Sequence, residues 1–217
     1  AGETADYLVT GVWSEKAVQE AAKFGATHVA VSAAGSKFTR IPDVAEIAYS
    51  SAPAYVHITT NNTIYGTQWS ELPPVPEGVP LIADTSSDMF SRPLDVSKYG
   101  LIYAGAQKNL GPSGVVMAII RDDLADRAPA SLPTMLQYRT YVKERSLYNT
   151  PPTFAIYMVG LVLKWIRETG GLGAMAERNA EKAALLYDFL DQSMMFRTPV
   201  HADSRSHMNV VFRSASD

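Results

Sequence analysis

The stretch Leu101-Ile-Tyr-Ala-Gly-Ala-Gln-Lys-Asn-Leu-Gly-Pro-Ser-Gly114 carries Lys108 out of an apolar run and into a turn rich in Gly, Asn and Pro. A second apolar run, residues 115–120, leaves that turn. Short apolar runs bounded by turn residues predict buried strands over 101–107 and 115–120. A lysine at such a strand end is expected to be shielded from bulk water, which favours the neutral amine that attacks aldehydes. The alternative is a surface lysine in a hairpin turn, the commoner environment for this residue type.

A second strand end carries an acid. Residues 79–87 predict a short buried strand over 81–84 that ends at Asp84. Ligands of open α/β sheets bind beyond the carboxyl ends of the strands, so Asp84 and Lys108 are expected at one edge. Pyridoxal phosphate requires such a pair, because the lysine holds its aldehyde while a carboxylate keeps its pyridine nitrogen protonated. The alternative for Asp84 is a turn or helix-capping residue, which the following Thr85-Ser86-Ser87 would suit.

The remaining periodicity alternates between strand and helix patterns. Strands interleaved with helices predict an α/β fold with a mostly parallel sheet and helices on both faces. We expect a large domain over 1–170, then a connector helix and the start of a small domain over 171–217. The predicted strands are 7–11, 27–33, 54–60 and 207–213. The predicted helices are 14–24 (with Ser14 as N-cap), 44–50, 122–127, 152–168 and 172–192, whereas 132–146 shows little periodicity.

Composition narrows the class of protein. The chain has 217 residues, of which 47% are hydrophobic and 19% charged, and a net charge of −3. That balance argues against nucleic acid or an anionic membrane surface as the main partner. Cysteine is absent, so neither a disulfide framework nor a thiolate metal site is expected. No apolar stretch reaches the length of a membrane span, and no signal peptide is evident. A cytoplasmic enzyme fits these properties.

Five motifs carry a family resemblance. They are Gly11-Val-Trp-Ser14, Thr59-Thr-Asn-Asn-Thr-Ile64, Ala83-Asp-Thr-Ser-Ser87, Gly105-Ala-Gln-Lys-Asn-Leu-Gly-Pro-Ser-Gly114 and Tyr148-Asn-Thr-Pro-Pro-Thr-Phe154. On these motifs the chain, from about Tyr7 to Phe212, resembles the phosphoserine aminotransferases, which are fold-type I pyridoxal phosphate enzymes. The fourth and fifth motifs are specific to that family. The resemblance implies the fold-type I large domain and the beginning of its small domain.

The resemblance also implies residue roles. Lys108 would be the Schiff-base lysine, Asp84 the partner of the pyridine nitrogen and Trp13 the aromatic stacked on the cofactor ring. Thr63 would donate to the cofactor's ring oxygen and Gln107 would contact its phosphate. Asn149 and Thr150 would reach the cofactor phosphate of the neighbouring subunit in a homodimer with shared active sites. Without the resemblance, Trp13 would be a core residue, and Thr63, Asn149 and Thr150 would be turn or capping residues.

The implied reaction is transfer of an amino group between O-phospho-L-serine and 2-oxoglutarate in serine biosynthesis, giving 3-phosphooxypyruvate and L-glutamate. The alternatives are another fold-type I aminotransferase, or a non-catalytic dimerising module. Family members are longer at both ends. The chain is therefore expected to lack the substrate-binding Arg and His residues and to turn over poorly by itself. Arg139, Lys143 and Arg145 are interpreted as a solvated loop, or else as an anion-attracting rim.

Overall fold

The computed structural model describes residues 3–214 and 216, and an α/β sheet organises them. Six strands form the central sheet in the spatial order β2-β1-β3-β6-β7-β8. The first five run parallel, and β8 pairs antiparallel with β7. The strands are β1 Thr4–Val9, β2 Ala26–Ser32, β3 Pro53–Thr59, β4 Asn61–Asn62, β5 Thr67–Gln68, β6 Leu81–Asp84, β7 Leu101–Gly105, β8 Val116–Ile120, β9 Phe196–Arg197 and β10 Arg213–Ser214. The predicted fold class is confirmed.

The helices are unequal in length. They are α1 Val12–Ala21, α2 Asp122–Ala125, α3 Tyr138–Lys143, α4 Thr153–Glu168 and α5 Gly171–Gln192. Short 3-10 turns lie at Ala33–Ser36, Val44–Glu46, Val96–Lys98, Thr134–Leu136 and Ala202–Ser204. Among the described residues, no helix combines the length and apolar character needed to cross a membrane.

Burial on both faces explains why the central strands read as continuous apolar runs. One face of the sheet carries the main core, formed by Leu8, Val31, Val56, Ile58, Leu81, Ala83, Ile102 and Ala104 with Trp69, Met89 and Tyr99. On the opposite face, Ala5, Tyr7 and Val9 of β1 pack with the partly buried Ala17 and Val18 of α1. The sheet is therefore covered on both faces at its centre, and its carboxyl edge is left to the connecting turns.

Two predicted elements in the first half of the chain are wrong. Residues 44–50 do not form a helix, because Ala48 N–H donates to Ala30 O of β2 at 2.8 Å and Ser50 N–H donates to the Asp6 carboxylate at 2.7 Å. Those bonds hold residues 48–50 beside the sheet, and only the 3-10 turn at Val44–Glu46 precedes them. Ser14 is not the N-cap of α1, since the helix begins at Val12.

Two predictions in the second half are also wrong. Residues 132–146 contain α3, whose buried Thr140 donates from Oγ1 to Thr134 O at 2.8 Å, so this segment is not simply a loop. Residues 207–213 are not a continuous strand. Ser206 Oγ accepts hydrogen bonds from the N–H groups of Met208 and Asn209, both at 3.0 Å, which makes a turn there. Strand pairing resumes at β10, where Arg213 lies opposite Arg197 of β9.

Candidate active site

A close approach of two main-chain segments builds the first part of the site. Ser14 Oγ accepts from the N–H groups of Thr10 and Gly11, both at 3.0 Å, and shapes the entry into α1. A Cβ atom on Gly11 would lie 2.6 Å from Asn62 Oδ1, closer than side chains tolerate. Glycine at this position therefore allows the start of α1, which carries Trp13, to sit against β4, which leads into Thr63.

Three of the predicted residues meet at this junction. Lys108 Nζ donates a hydrogen bond to Thr63 Oγ1 at 2.9 Å. The same Nζ lies 5.2 Å from the centre of the Trp13 ring, within reach of a cation–π interaction. Trp13 is 40% exposed, so it is not a core tryptophan and its indole is available to a ligand. The structure thus groups an amine, a hydroxyl and a flat aromatic surface.

Lys108 itself is exposed, which contradicts the expected shielding from water. Strand β7 ends at Gly105, so Lys108 lies in the following turn instead of at the strand end. Buried apolar residues fix that turn, because Ala106 and Leu110, both fully buried, pack against Val159 of α4. Gly111 N–H also donates to Ala106 O at 2.7 Å. The base of the turn is buried and hydrogen-bonded, whereas the amine is accessible.

Asp84 stands on the neighbouring strand, as its last residue. In the ladder between β6 and β7, Asp84 lies opposite Tyr103, two residues before Gly105. Its Oδ1 accepts from Ser86 N–H at 2.9 Å, which is an Asx turn. The turn interpretation therefore holds for one carboxylate oxygen, and it does not prevent a ligand contact at the other. Asp84 is half-buried.

Ser86 and Gln107 converge on Gly105. Gly105 N–H donates to Ser86 Oγ at 3.0 Å, which joins the turn after Asp84 to the turn that carries Lys108. A Cβ at Gly105 would lie 2.5 Å from Gln107 Oε1, so the glutamine amide folds back over this glycine. Sequence reasoning missed Ser86. The polar run Thr85-Ser86-Ser87 after a buried strand was a signal that could have found it.

A buried polar pair lies beside Asp84 in the sheet. His57 Nε2 is hydrogen-bonded to the Tyr103 hydroxyl at 2.8 Å. Burial lowers the pKa of His57 to about 4, and the negative field of Asp84 opposes that shift. Burial raises the pKa of Tyr103, and the negative charge of Asp84 adds a smaller shift in the same direction. Both groups are therefore uncharged at neutral pH. His57 is buried in the sheet, and sequence reasoning missed its link to Tyr103.

Asn149 and Thr150 are not brought to Lys108 by any contact within the described residues. Both are exposed, and Asn149 Nδ2 lies 3.4 Å from Met135 Sδ. Arg139 is engaged with the main chain, because its guanidinium donates to the carbonyl oxygens of Asp126 and Ala128. An anion-attracting rim therefore gains no support from Arg139.

Comparison with known proteins places this arrangement in a family. The class-V aminotransferase family model matches residues 1–217. The chain belongs to the class-V aminotransferases. The family resemblance inferred from the five motifs is confirmed at this level.

Individual class-V aminotransferases are similar over nearly the whole chain. The phosphoserine aminotransferase of Herpetosiphon aurantiacus is 55% identical over 213 residues, which cover 98% of this chain and 59% of that protein. The solved phosphoserine aminotransferase of Bacillus circulans subsp. alkalophilus has a TM-score of 0.96 at 53% identity, over 99% of this chain and 59% of that one. The PLP-bound phosphoserine aminotransferase of Trichomonas vaginalis has a TM-score of 0.90 at 39% identity, over 99% and 60%. The chain thus spans about three fifths of these relatives' length.

Proposed function

We propose that the protein containing this chain is a pyridoxal phosphate-dependent phosphoserine aminotransferase. It would move an amino group between O-phospho-L-serine and 2-oxoglutarate, giving 3-phosphooxypyruvate and L-glutamate, in serine biosynthesis in the cytoplasm. The observation that carries the proposal is the contact of Lys108 Nζ with Thr63 Oγ1 beside Trp13. It occurs in a chain 55% identical to a phosphoserine aminotransferase.

The described residues fit pyridoxal phosphate. Lys108 offers an accessible amine, Trp13 a partly exposed indole and Asp84 a carboxylate one strand away. Thr63 would bond the ring oxygen and Gln107 the phosphate. Because Gly105 has no Cβ, the Gln107 amide can lie against the main chain at this position. When bound, the cofactor supplies an aromatic ring that accepts electrons from the substrate.

The residues of the chain would then have separate roles in the reaction. Lys108 Nζ, once free, would take a proton from the substrate Cα as general base and then, as general acid, deliver it to C4′ of the cofactor. Thr63 would orient that amine through the 2.9 Å hydrogen bond. Asp84 would hold the ring by a charged hydrogen bond to its nitrogen. The neutral pair of His57 and Tyr103 beside Asp84 would leave its charge uncompensated and available for that bond.

A homodimer with shared active sites is part of the proposal. Asn149 and Thr150 are exposed, so a second subunit's cofactor phosphate could reach them. They precede α4, which buries one stripe of side chains and exposes an apolar one at helical spacing. The exposed stripe is Phe154, Tyr157, Leu161 and Trp165. A contiguous exposed apolar surface of this kind indicates a protein–protein contact. In a two-fold dimer each subunit would give Asn149 and Thr150 to the other.

The division into a large domain over 1–170 and the beginning of a small domain over 171–217 is likewise proposed. Support comes from the separate two-stranded sheet of β9 and β10, which packs with α5 through Phe196, Tyr187 and Leu190.

The activity is tested by phosphoserine-dependent glutamate formation in the purified full-length protein. Phosphoserine is compared with serine, alanine and aspartate as amino donors at equal concentration. The proposal predicts that phosphoserine has the highest kcat/KM. A higher value for an unphosphorylated donor would contradict the substrate assignment, and no cofactor binding at all would contradict the proposed chemistry.

A further inference from the structure

A segment far along the chain covers the hairpin that carries Thr63. The hairpin consists of β4, β5 and the turn between them, residues 61–68. Thr63 lies in that turn, where its hydroxyl accepts a hydrogen bond from Lys108 Nζ. Residues 205–211 form the covering segment, which contacts the hairpin at several points. No residue of the covering segment has a role in the proposed function.

Main-chain contacts seat the covering segment on the hairpin. Arg205 forms an isolated antiparallel bridge with Thr67. Ser206 N–H donates to Gly66 O at 2.9 Å. A Cβ atom on Gly66, whose φ is +74°, would lie 2.9 Å from Val211 Cγ2. Glycine at this position therefore serves two purposes, because it adopts a positive φ without strain and lets the covering segment approach closely.

The buried side chain of Asn61 joins the hairpin to the covering segment. Asn61 is the first residue of the hairpin and is only 1% exposed. Its Nδ2 donates to Asn209 Oδ1 at 2.7 Å and to Ser87 Oγ at 2.8 Å. Its Oδ1 accepts from the hydroxyl of Ser206, which is also buried. Both amide hydrogens and the amide oxygen of Asn61 are therefore used in one buried network.

The hydroxyl of Ser206 fixes the direction of these bonds. Ser206 Oγ accepts from the N–H groups of Met208 and Asn209, both at 3.0 Å. Its single proton is therefore the one donated to Asn61 Oδ1. The amide nitrogen of Asn61 then faces Asn209 Oδ1, as an acceptor requires. Every donor of Asn61 meets an acceptor in this orientation, and a fully satisfied buried network favours a single arrangement of the chain.

The anchored part of the hairpin leads directly to Thr63. Asn61 precedes Thr63 by two residues, and Asn62 between them is 2% exposed and donates from Nδ2 to Thr67 Oγ1 at 3.0 Å. Gly66 N–H closes the turn by donating to Asn62 O at 2.8 Å. Thr63 itself is only partly buried. The position of its hydroxyl therefore depends on these anchored neighbours.

We propose that Ser206 and Asn209 are positioning residues for the cofactor-binding hydroxyl of Thr63. They hold Asn61 at the start of the hairpin, and the hairpin holds Thr63 at hydrogen-bonding distance from Lys108. The covering segment belongs to the region proposed as the beginning of the small domain, so that region contributes to the order of the cofactor site. The effect on cofactor binding rests on the proposed function, whereas the ordering of the hairpin does not.

Amide hydrogen exchange in the cofactor-free full-length protein tests the ordering of the hairpin. Exchange of Gly66 N–H reports on the hydrogen bond that closes the hairpin turn. Asn209→Ala removes one bond of the network and should speed this exchange on the order of tenfold. The matched control is Asn179→Ala, which removes a buried amide that donates to Ser91 O at 3.2 Å and should leave the exchange unchanged. Equal exchange rates in the two variants would overturn the proposal.

Binding of pyridoxal phosphate tests whether the network acts through Thr63. In the full-length protein, Asn209→Ala should raise the Kd for pyridoxal phosphate about fivefold, as expected when a hydrogen bond is weakened. In a Thr63→Val background the same substitution should change the Kd less than about twofold, because the hydroxyl that it displaces is already absent. A merely structural effect would raise the Kd equally in both backgrounds. That result, or no change in either background, would overturn the positioning role.

A conservative variant completes the test. Asn209→Asp keeps an acceptor for Asn61 Nδ2 at a partly exposed position, so it should restore the wild-type exchange rate and the wild-type Kd. An aspartate variant as impaired as the alanine variant would contradict the role of this hydrogen bond. Neither measurement uses an amino donor. A different preferred substrate would therefore contradict the proposed function and leave both results standing.

Discussion

Lys108 Nζ and Thr63 Oγ1 are joined by a 2.9 Å hydrogen bond across 45 residues of sequence. Thr63 follows the short strand β4, and Lys108 lies in the turn between β7 and β8. The bond therefore links two connections at the carboxyl edge of the sheet, where ligands of α/β proteins bind. It also orients the amine relative to the Trp13 ring, whose centre lies 5.2 Å from Nζ.

Removing the Thr63 hydroxyl should lower turnover. Thr63→Val keeps the shape of the side chain and loses the hydrogen bond to a charged group, worth about 1.5–3 kcal/mol. We expect kcat/KM for phosphoserine to fall roughly 10- to 100-fold in the full-length enzyme. Thr63→Ser, which keeps the hydroxyl, is the matched control and should stay close to the wild type. Equal kinetics for the valine and serine variants would show that the bond has no catalytic consequence.

Substitution of Asp84 should have a larger effect. Removing one partner of a shielded ion pair costs about 3–5 kcal/mol, so Asp84→Ala should lower kcat at least about a hundredfold. Asp84→Glu keeps the charge and should lose much less. The measurement is single-turnover conversion of phosphoserine by enzyme saturated with cofactor. An alanine variant as active as the parent would refute a role for Asp84 at the pyridine nitrogen.

Subunit mixing should reveal shared active sites. A subunit with Asn149→Ala and Thr150→Ala is combined with a Lys108→Ala subunit, each inactive by itself. In the heterodimer one site collects both lesions and the other site collects none, so the mixture should regain up to about half of the wild-type activity per heterodimer. Mixing two Lys108→Ala preparations is the control. If no activity returns although heterodimers form, Asn149 and Thr150 do not act across the subunit interface.

Acid should destabilise the protein through His57. Its pKa is 6.5 in the unfolded chain and about 4 when buried beside Tyr103, so the unfolded state binds the extra proton first. Stability is therefore lost as pH falls from about 6.5 to about 4, by on the order of 3 kcal/mol in total. His57→Gln should flatten this part of the curve, as measured by urea unfolding. A wild-type curve that is already flat over this range would contradict a buried neutral His57.

Local patterns predicted the sheet because its strands are apolar on both faces. The prediction for 81–84 matches β6 residue for residue, since Leu81 and Ala83 are buried on one face and turn signals bound the run. The helix predicted over 44–50 was wrong because a contact distant in the sequence decides the structure there. The helical pattern of these residues competes with main-chain bonds from Ala48 to β2, and no local window contains that partner.

The candidate site was predictable at the level of residue types and less so in its arrangement. Motifs identified Lys108, Thr63 and Trp13, and the structure brings these three together. Motifs could not show that Lys108 is exposed, because exposure depends on the chain that folds around the turn. They also could not reveal the bond between Asn61 Nδ2 and Asn209 Oδ1, at 2.7 Å across 148 residues, because such a contact exists only in the folded chain.

The central claim is that Lys108 holds pyridoxal phosphate, and one measurement tests it most directly. Full-length protein loaded with pyridoxal phosphate is reduced with borohydride, digested and mapped by mass spectrometry. Lys16, whose Nζ lies 4.8 Å from the same Trp13 ring, provides an internal comparison. We predict the reduced cofactor adduct on Lys108 and its loss in Lys108→Ala. An adduct on Lys16 or any other lysine, or no adduct in protein that binds the cofactor, would contradict the assignment.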